Sequence, residues 1–103
     1  MNALSAIGSL TPEKLAAMVV EVIVDRFEVD PEKVTREARL AEDLLVDSLG
    51  FVELTLALEE RLYRECQAEC AFDIPEGEET KWVTVGDVID VVVRLVNEAA
   101  PDR

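Results

Sequence analysis

The sequence predicts an all-α domain built from three main helices and one short helix. Three observations favour this class: apolar residues recur at helical spacing, helix-start signals precede two of the segments, and the central segment has no Pro. A chain of 103 residues has the length of one domain. We therefore expect a single domain over residues 1–103, with flexible tails at 1–10 and 99–103.

The first predicted helix runs from Pro12 to Phe27. Thr11 offers a capping hydroxyl, Pro12 suits the first turn, and Glu13 lies near the positive end of the helix. Apolar residues then follow at helical spacing, namely Leu15, Met18, Val19, Val22, Ile23 and Phe27. We interpret this helix as scaffold.

A long connection, Glu28–Val46, follows the first helix. Within it, Asp30–Val34 predicts one helical turn, and Thr35–Ala41 predicts irregular structure with Leu40 as an apolar anchor. Connections of this length without full secondary structure are uncommon in compact domains and usually belong to a functional or well-packed loop.

The central segment, Glu42–Leu62, begins with two acids and reaches a helix-start pair at Asp47-Ser48. From there it predicts a helix with two apolar stripes, whereas an ordinary surface helix has one. A broad stripe suited to a core contains Phe51, Leu54, Thr55, Leu58 and Leu62. A narrow stripe on nearly the opposite side contains Leu49, Val52 and Leu56. Three carboxylates border the narrow stripe: Glu53, Glu59 and Glu60. Exposed apolar surface with a polar rim often marks a partner site.

The residues after Leu62 contain no Gly or Pro as far as Ala71, so we expect two further turns of the same helix. This extension would place Tyr63, Cys66 and Cys70 on the side of the narrow stripe. The helix is then expected to break over Phe72–Pro75, because Pro disfavours helix in the residue before it. A surface loop inserted at this point is the competing interpretation.

Two elements are expected after the break. Pro75–Lys81 could form a short third helix, weakened by Gly77. Thr84 and Asp87 then resemble a capping box with a shorter acid, which predicts a last helix to about Glu98.

The net charge of −13 limits the partners. Nucleic acids and anionic membrane surfaces attract Lys and Arg, so both are disfavoured, whereas basic protein surfaces are favoured. Half of the residues are apolar, and no apolar run approaches the length of a membrane span. Without a secretory signal pattern, the two cysteines predict free thiols in a reducing cytoplasm.

Ser48 is a poor candidate for a catalytic nucleophile. Such a serine needs a base, usually His, and the sequence contains none. The three lysines, Lys14, Lys33 and Lys81, do not form a catalytic pattern with it. Ser48 is better placed as a substrate, because a helix N-terminus favours a phosphate group. The simpler interpretation is that Asp47-Ser48 only caps the helix.

The central segment resembles the acyl carrier protein family. The resemblance rests on Asp47-Ser48-Leu49 after Glu42-Asp43-Leu44, followed by Val52-Glu53-Leu54 and Ala57-Leu58-Glu59-Glu60. It implies a small four-helix bundle and a 4′-phosphopantetheine arm on Ser48, with Asp47 and Leu49 beside the attachment point. It also implies that the helix after Ser48 recognises partners through Val52, Glu53, Leu56, Glu59 and Glu60.

The resemblance further implies an acyl pocket and a set of partners. The pocket would be lined by Leu40, Leu54, Leu58, Leu62, Ile74, Trp82 and Val88. The expected partners are a phosphopantetheinyl transferase and acyl-transferring and chain-elongating enzymes with basic surfaces. We expect a monomeric carrier of fatty-acid, polyketide or specialised lipid biosynthesis, and not an enzyme. The alternatives are a stand-alone aminoacyl or peptidyl carrier, and a structural or regulatory helical protein without the arm.

The chain departs from the family pattern at four places. Leu45 replaces a small residue, usually Gly, and Gly50 stands where a polar or acidic residue is common. Trp82 stands where an aliphatic residue is usual, and the segment between Leu62 and Ile74 is longer than usual, which favours a specialised carrier. We expect no metal site, because no calcium-loop spacing is present and two thiolates alone do not close a zinc site.

Overall fold

The computed structural model describes residues 10–65, 74–75 and 77–99. Within these ranges the chain forms three α-helices, which we call the first helix (Pro12–Phe27), the central helix (Ser48–Glu65) and the last helix (Val85–Ala99). Two 3₁₀ helices, Pro31–Lys33 and Glu78–Lys81, complete the described secondary structure apart from one isolated bridge. The predicted all-α class is confirmed.

The first helix has the bounds that the sequence predicts. Thr11 caps it, since the Thr11 hydroxyl accepts a hydrogen bond of 3.3 Å from the Lys14 N–H. It ends at Glu28, which adopts a left-handed conformation with φ of 55° and donates its N–H to the Val24 carbonyl at 2.8 Å. Leu10, just before the helix, is half-buried against the core.

The core lies where the first helix packs against both the central and the last helix. Each helix contributes one buried face. The first helix contributes Leu15, Met18, Val19, Val22 and Ile23, and the central helix contributes Leu54, Leu58 and Leu62. The last helix contributes Val85, Val88, Ile89, Val91, Val92 and Val96. Connecting segments add Val34, Ala38, Leu40, Leu44, Val46, Ile74 and Trp82. Burial of a leucine side chain stabilises the fold by roughly 1.5–3 kcal/mol, so these faces hold the helices together.

The long connection is fastened to the start of the last helix by backbone hydrogen bonds. Leu40 donates its N–H to the Val83 carbonyl at 2.9 Å, and Ala38 accepts from the Val85 N–H at 3.0 Å. The first amides of a helix have no partner within it, so the connection satisfies groups that would otherwise be unpaired. This pairing fixes the segment that leads to the central helix.

The last helix begins with the predicted capping box. The Thr84 hydroxyl accepts from the Asp87 N–H at 3.3 Å, and Asp87 Oδ2 accepts from the Thr84 N–H at 3.0 Å. Asp87 Oδ2 also accepts from the Val83 N–H at 2.8 Å. The reciprocal bonds explain why a segment rich in Val adopts a helix here.

The short helix differs from the prediction in type and in bounds. It is a 3₁₀ helix that begins at Glu78, not at Pro75. Gly77, which precedes it, has a φ of 92°, a left-handed conformation that interrupts a helix and that glycine adopts readily. Pro75 contributes instead a turn, because its carbonyl accepts from the Glu78 N–H at 3.0 Å.

Some predicted features lie outside the described residues. The central helix continues past Leu62 to Glu65, but the rest of its predicted extension, with Cys66 and Cys70, falls in residues 66–73. The expected break at Phe72 and most of both predicted tails, residues 1–9 and 100–103, lie outside them as well. None of the described helices combines the length and the apolar character needed to cross a membrane.

Candidate functional site

Ser48 is the first residue of the central helix, and its side chain is exposed. Asp47 caps the helix: its Oδ1 accepts from the Gly50 N–H at 2.8 Å, and its carbonyl accepts from the Phe51 N–H at 2.9 Å. Helix geometry leaves the amides of Ser48 and Leu49 without a partner inside the helix. Because Ser48 is the first helical residue, its hydroxyl lies at the positive end of the helix dipole. The first turn contains no acidic residue.

The segment before Ser48 is held by alternating buried side chains. Leu44 and Val46 are buried, and the Val46 N–H donates to the Leu40 carbonyl at 2.8 Å. One turn earlier, Asp43 Oδ2 accepts from the Arg39 N–H at 2.8 Å. Ser48 therefore lies at the surface directly after a segment that Leu44 and Val46 hold in place.

Leu45 lies between the two buried anchors and has an unusual backbone. Its φ is 60°, and its side chain is 82% exposed. A left-handed conformation costs an L-residue with a side chain roughly 1–2 kcal/mol and is easy for glycine. This explains physically why a small residue suits the position.

Gly50 is buried where the central helix meets the first helix. A Cβ atom at this residue would lie 3.0 Å from Val46 Cγ1 and 3.1 Å from Phe27 Cε1. Both distances are tighter than ordinary van der Waals contact, so the absence of a side chain allows the start of the helix to pack closely. Val46 and Phe27 therefore explain why this chain has glycine at residue 50, where a polar or acidic residue is common in the family.

The two predicted stripes differ in burial as expected. Leu54, Leu58 and Leu62 are fully buried, and Phe51 and Thr55 are half-buried beside them. The narrow stripe is exposed, with 65% of Leu49, 45% of Val52 and 59% of Leu56 accessible to solvent. We call Leu49, Val52 and Leu56 the exposed stripe. Its role as a partner surface stays a prediction.

The three carboxylates beside the exposed stripe are not equivalent. Glu60 is exposed and lies 3.9 Å from Arg64, and Glu53 is half-buried. Glu59 Oε2, however, accepts a hydrogen bond of 2.7 Å from the Ile74 N–H. One oxygen of Glu59 is therefore committed to an internal bond. The partners are fifteen residues apart, so no local sequence pattern could have shown this bond.

A groove of about 340 Å³ opens beside Ser48. Its lining comes from the first turns of the central helix and from the short helix, and it consists of Ser48, Phe51, Val52, Glu79, Thr80 and Trp82. The volume lies within the range of small-molecule sites. A second opening of about 360 Å³, between the first and central helices, has a mainly charged lining and does not include Ser48.

The seven predicted pocket residues all belong to the buried core, but only one of them reaches the groove. That residue is Trp82. The other six are fully or almost fully buried and pack against one another and their neighbours in the core: Leu40, Leu54, Leu58, Leu62, Ile74 and Val88. Their role as an acyl pocket stays a prediction. The sequence did not predict that Phe51, Glu79 and Thr80 line one groove with Ser48.

Trp82, which lines this groove, has an unpaired polar group. The side chain is only 4% exposed, and its indole N–H has no acceptor among the residues that the structure describes. Leaving such a donor buried and unpaired costs about 1–3 kcal/mol. Buried tryptophans usually find a partner for this N–H, so the position is distinctive.

The surroundings of Ser48 do not provide the groups that a catalytic serine needs. The sequence has no His, and the described residues make no hydrogen bond to Ser48 Oγ. Within the same ranges, no cluster of Asp, Glu, Cys or His could hold a metal ion.

The chain is similar to curated proteins over most of its length, although no family model matches it. It is 41% identical to an acyl carrier protein of Thermosynechococcus vestitus over 83 residues, which cover 81% of this chain and 93% of the relative. The chain belongs to the acyl carrier protein family. It is also 44% identical over 71 residues to the acyl carrier protein of Wolinella succinogenes, covering 69% of this chain and 83% of the relative.

A third relative is the acyl carrier protein of Campylobacter curvus. It is 39% identical to the chain over 77 residues, which cover 75% of this chain and 90% of the relative. Members of this family are carriers and not catalysts, so this acyl carrier protein is not an enzyme.

Proposed function

We propose that this acyl carrier protein holds an acyl chain as a thioester on a 4′-phosphopantetheine arm attached to Ser48. It would deliver the chain to enzymes of fatty-acid, polyketide or specialised lipid biosynthesis in the cytoplasm, as a single domain and a monomer. The observation that carries the proposal is the exposed Ser48 hydroxyl at the capped start of the central helix, within a chain of this family.

The residues around Ser48 fit the arm. A phosphodiester on Ser48 Oγ would lie at a helix N-terminus whose first turn carries no acid, an environment that favours an anion. Asp47 is the nearest acid in sequence, and its Oδ1 accepts from the Gly50 N–H. The groove beside Ser48 offers space for part of the arm. When bound, the arm supplies a thiol that forms the thioester.

The chain itself supplies position, not catalysis, for this attachment. Transfer of the phosphopantetheine group would form a phosphodiester at Ser48 Oγ, break the pyrophosphate bond of coenzyme A and release adenosine 3′,5′-bisphosphate. The step requires a base to take the proton of Ser48 Oγ, and the sequence has no His for this task. We assign this base to the phosphopantetheinyl transferase. Asp47 positions Ser48 by holding the first turn of the helix through the Gly50 amide.

Recognition of partners would combine charge and apolar contact. The net charge of −13 steers basic surfaces toward the chain, and charges of this kind raise association rates more than final affinity. The exposed stripe then supplies the apolar contact. Glu59 also accepts from the Ile74 N–H, whereas Glu53 and Glu60 accept no backbone hydrogen bond within the part of the chain that the structure describes.

The proposal is tested by loading the purified protein. We expect incubation with coenzyme A and a phosphopantetheinyl transferase to add one arm, seen by intact-protein mass spectrometry, and we expect Ser48→Ala to abolish the gain. Thr80→Ala is the matched control, because it removes another hydroxyl from the same groove. A chain that gains no mass would instead favour the structural or regulatory helical protein, and loading only by an aminoacyl-activating enzyme would favour the aminoacyl or peptidyl carrier.

A further inference from the structure

Trp82 lines the groove beside Ser48, and its indole N–H is a hydrogen-bond donor that is shielded from solvent and has no partner among the described residues. Trp82 is more than nine-tenths buried, and its indole N–H is unpaired among the described residues. In native structures buried polar groups almost always have a partner, and an exception calls for an explanation. A bound group that reaches the groove could supply the missing acceptor.

The other groove residues narrow the chemistry of that group. Phe51 and Val52 offer apolar surface, and the Thr80 hydroxyl already donates to the Gly77 carbonyl at 2.6 Å. Glu79 contributes a carboxylate, which when ionised accepts hydrogen bonds and does not donate them. If Ser48 carries the arm, its hydroxyl proton is gone. Trp82 then remains as the side-chain donor of the groove, and an oxygen acceptor is the group that it would bind.

We propose that the Trp82 indole N–H donates a hydrogen bond to a carbonyl oxygen of the loaded arm on Ser48. The inference rests on the proposed function, and it deepens it by naming a chemical preference of the groove. A carbonyl can come from three sources: the amides of the arm itself, the carbonyl that joins the acyl chain to the arm, or an oxo group further along the acyl chain. A plain alkyl chain in the same place would leave the indole N–H unpaired.

The fixed position of Trp82 favours such a bond. Backbone contacts fix the residue, because its N–H donates to the Glu79 carbonyl at 3.2 Å at the end of the short helix, and that helix packs on the central helix. The donor is therefore held in place before a ligand arrives. Preorganised donors favour binding because less freedom is lost when the bond forms.

The single tryptophan of the chain provides a direct readout. In ¹⁵N-labelled protein the indole N–H gives one resonance, which can be compared in the unmodified protein and in three loaded forms. These forms carry the arm alone, the arm with an alkanoyl chain, and the arm with a 3-oxoacyl chain of equal length, the latter two joined by a stable amide in place of the thioester. We expect a downfield shift of the indole proton and slower exchange with solvent when the acceptor is present.

The pattern of the shift identifies the source of the carbonyl. A shift in all three loaded forms assigns the acceptor to the arm, a shift in the two acylated forms alone assigns it to the joining carbonyl, and a shift with the 3-oxoacyl form alone assigns it to the oxo group. An unchanged indole resonance in every loaded form, with loading verified by mass, would overturn the inference and leave the proposed function intact. Failure to load at Ser48 would overturn both, because the inference needs the arm.

A second measurement uses Trp82→Phe, which keeps an aromatic ring and removes the N–H. The substrate is the thioester of the acyl chain that shifts the indole resonance. We expect hydroxylamine to cleave this thioester about two- to tenfold more slowly on the wild-type protein than on Trp82→Phe, the factor that one hydrogen bond supplies. Thr35→Val is the control, since Thr35 is exposed and does not line the groove, and it should keep the protection. Equal cleavage of wild type and Trp82→Phe would contradict the inference, whereas a general loss of folding would show in the amide spectrum of the unloaded variant.

Discussion

Glu59 Oε2 accepts a hydrogen bond of 2.7 Å from the backbone N–H of Ile74. The bond joins the central helix to the segment that leads into the short helix. Ile74 is buried, so its amide has little access to water if the carboxylate is removed. A residue that the sequence places on a partner surface therefore has a structural role.

We expect Glu59→Ala to lower the free energy of unfolding by about 1–3 kcal/mol, because a buried amide loses its charged acceptor. Glu60→Ala is the matched control one residue away, and we expect a change within about 0.5 kcal/mol, since its pairing with Arg64 is long and exposed. Urea unfolding of both variants checks this. Equal effects on stability would show that the bond to Ile74 contributes nothing.

The exposed stripe predicts a separation between binding and stability. Leu56 is 59% exposed and Leu58 is fully buried, although the two are close in sequence. We expect Leu58→Ala to cost about 2–5 kcal/mol of stability. We expect Leu56→Ala to leave stability almost unchanged and to raise the KM of the phosphopantetheinyl transferase. Equal destabilisation by the two substitutions would show that the division into two stripes is wrong.

Leu45 predicts an unusual response to glycine. Its backbone is left-handed, with a φ of 60°, and its side chain makes little buried contact. Leu45→Gly should raise the free energy of unfolding by up to about 1 kcal/mol, because relief of backbone strain exceeds the entropy cost of glycine. Leu45→Ala is the control that keeps the strain, and thermal unfolding compares the two. A glycine variant less stable than the alanine variant would refute this explanation.

Asp87 predicts a dependence of stability on pH. The backbone N–H groups of Thr84 and Val83 donate to its carboxylate and lower the pKa of Asp87. Since the folded pKa lies below the unfolded value of about 4, the stabilisation is fully present above that value and is lost as pH falls through the folded pKa.

The measurement is the difference in unfolding free energy between wild type and Asp87→Asn. We expect about 0.3–1 kcal/mol in favour of wild type between pH 5 and pH 7, the typical effect of an anion at a helix start. The difference should shrink below about pH 4, where the unfolded carboxyl becomes protonated. A difference that stays constant as the pH is lowered through this range would contradict the assignment.

Local signals in the sequence were sufficient for much of the fold. The cap at Thr11 and the capping box at Thr84 and Asp87 fixed the starts of two helices, because the bonds involved span three residues. The helical period also separated the buried Leu58 from the exposed Leu56. These features depend on near neighbours in the chain, so no long-range information was needed.

The features that the sequence did not predict arise from long-range packing or from backbone conformation. The Glu59–Ile74 bond and the groove between Ser48 and Trp82 join segments distant in sequence. The 3₁₀ form of the short helix follows from the left-handed Gly77 before it. None of these has a periodic pattern, so they became visible only with the fold.

The central claim is that Ser48 alone carries the phosphopantetheine arm. The most direct measurement is to load the wild-type protein with coenzyme A and a phosphopantetheinyl transferase, digest it, and locate the arm by fragment-ion mass spectrometry. We expect the added mass on the peptide that contains Asp47-Ser48-Leu49, with the fragment ions assigning it to Ser48. An arm found on another residue, or a wild-type chain that stays unmodified beside a carrier that loads fully, would contradict the claim.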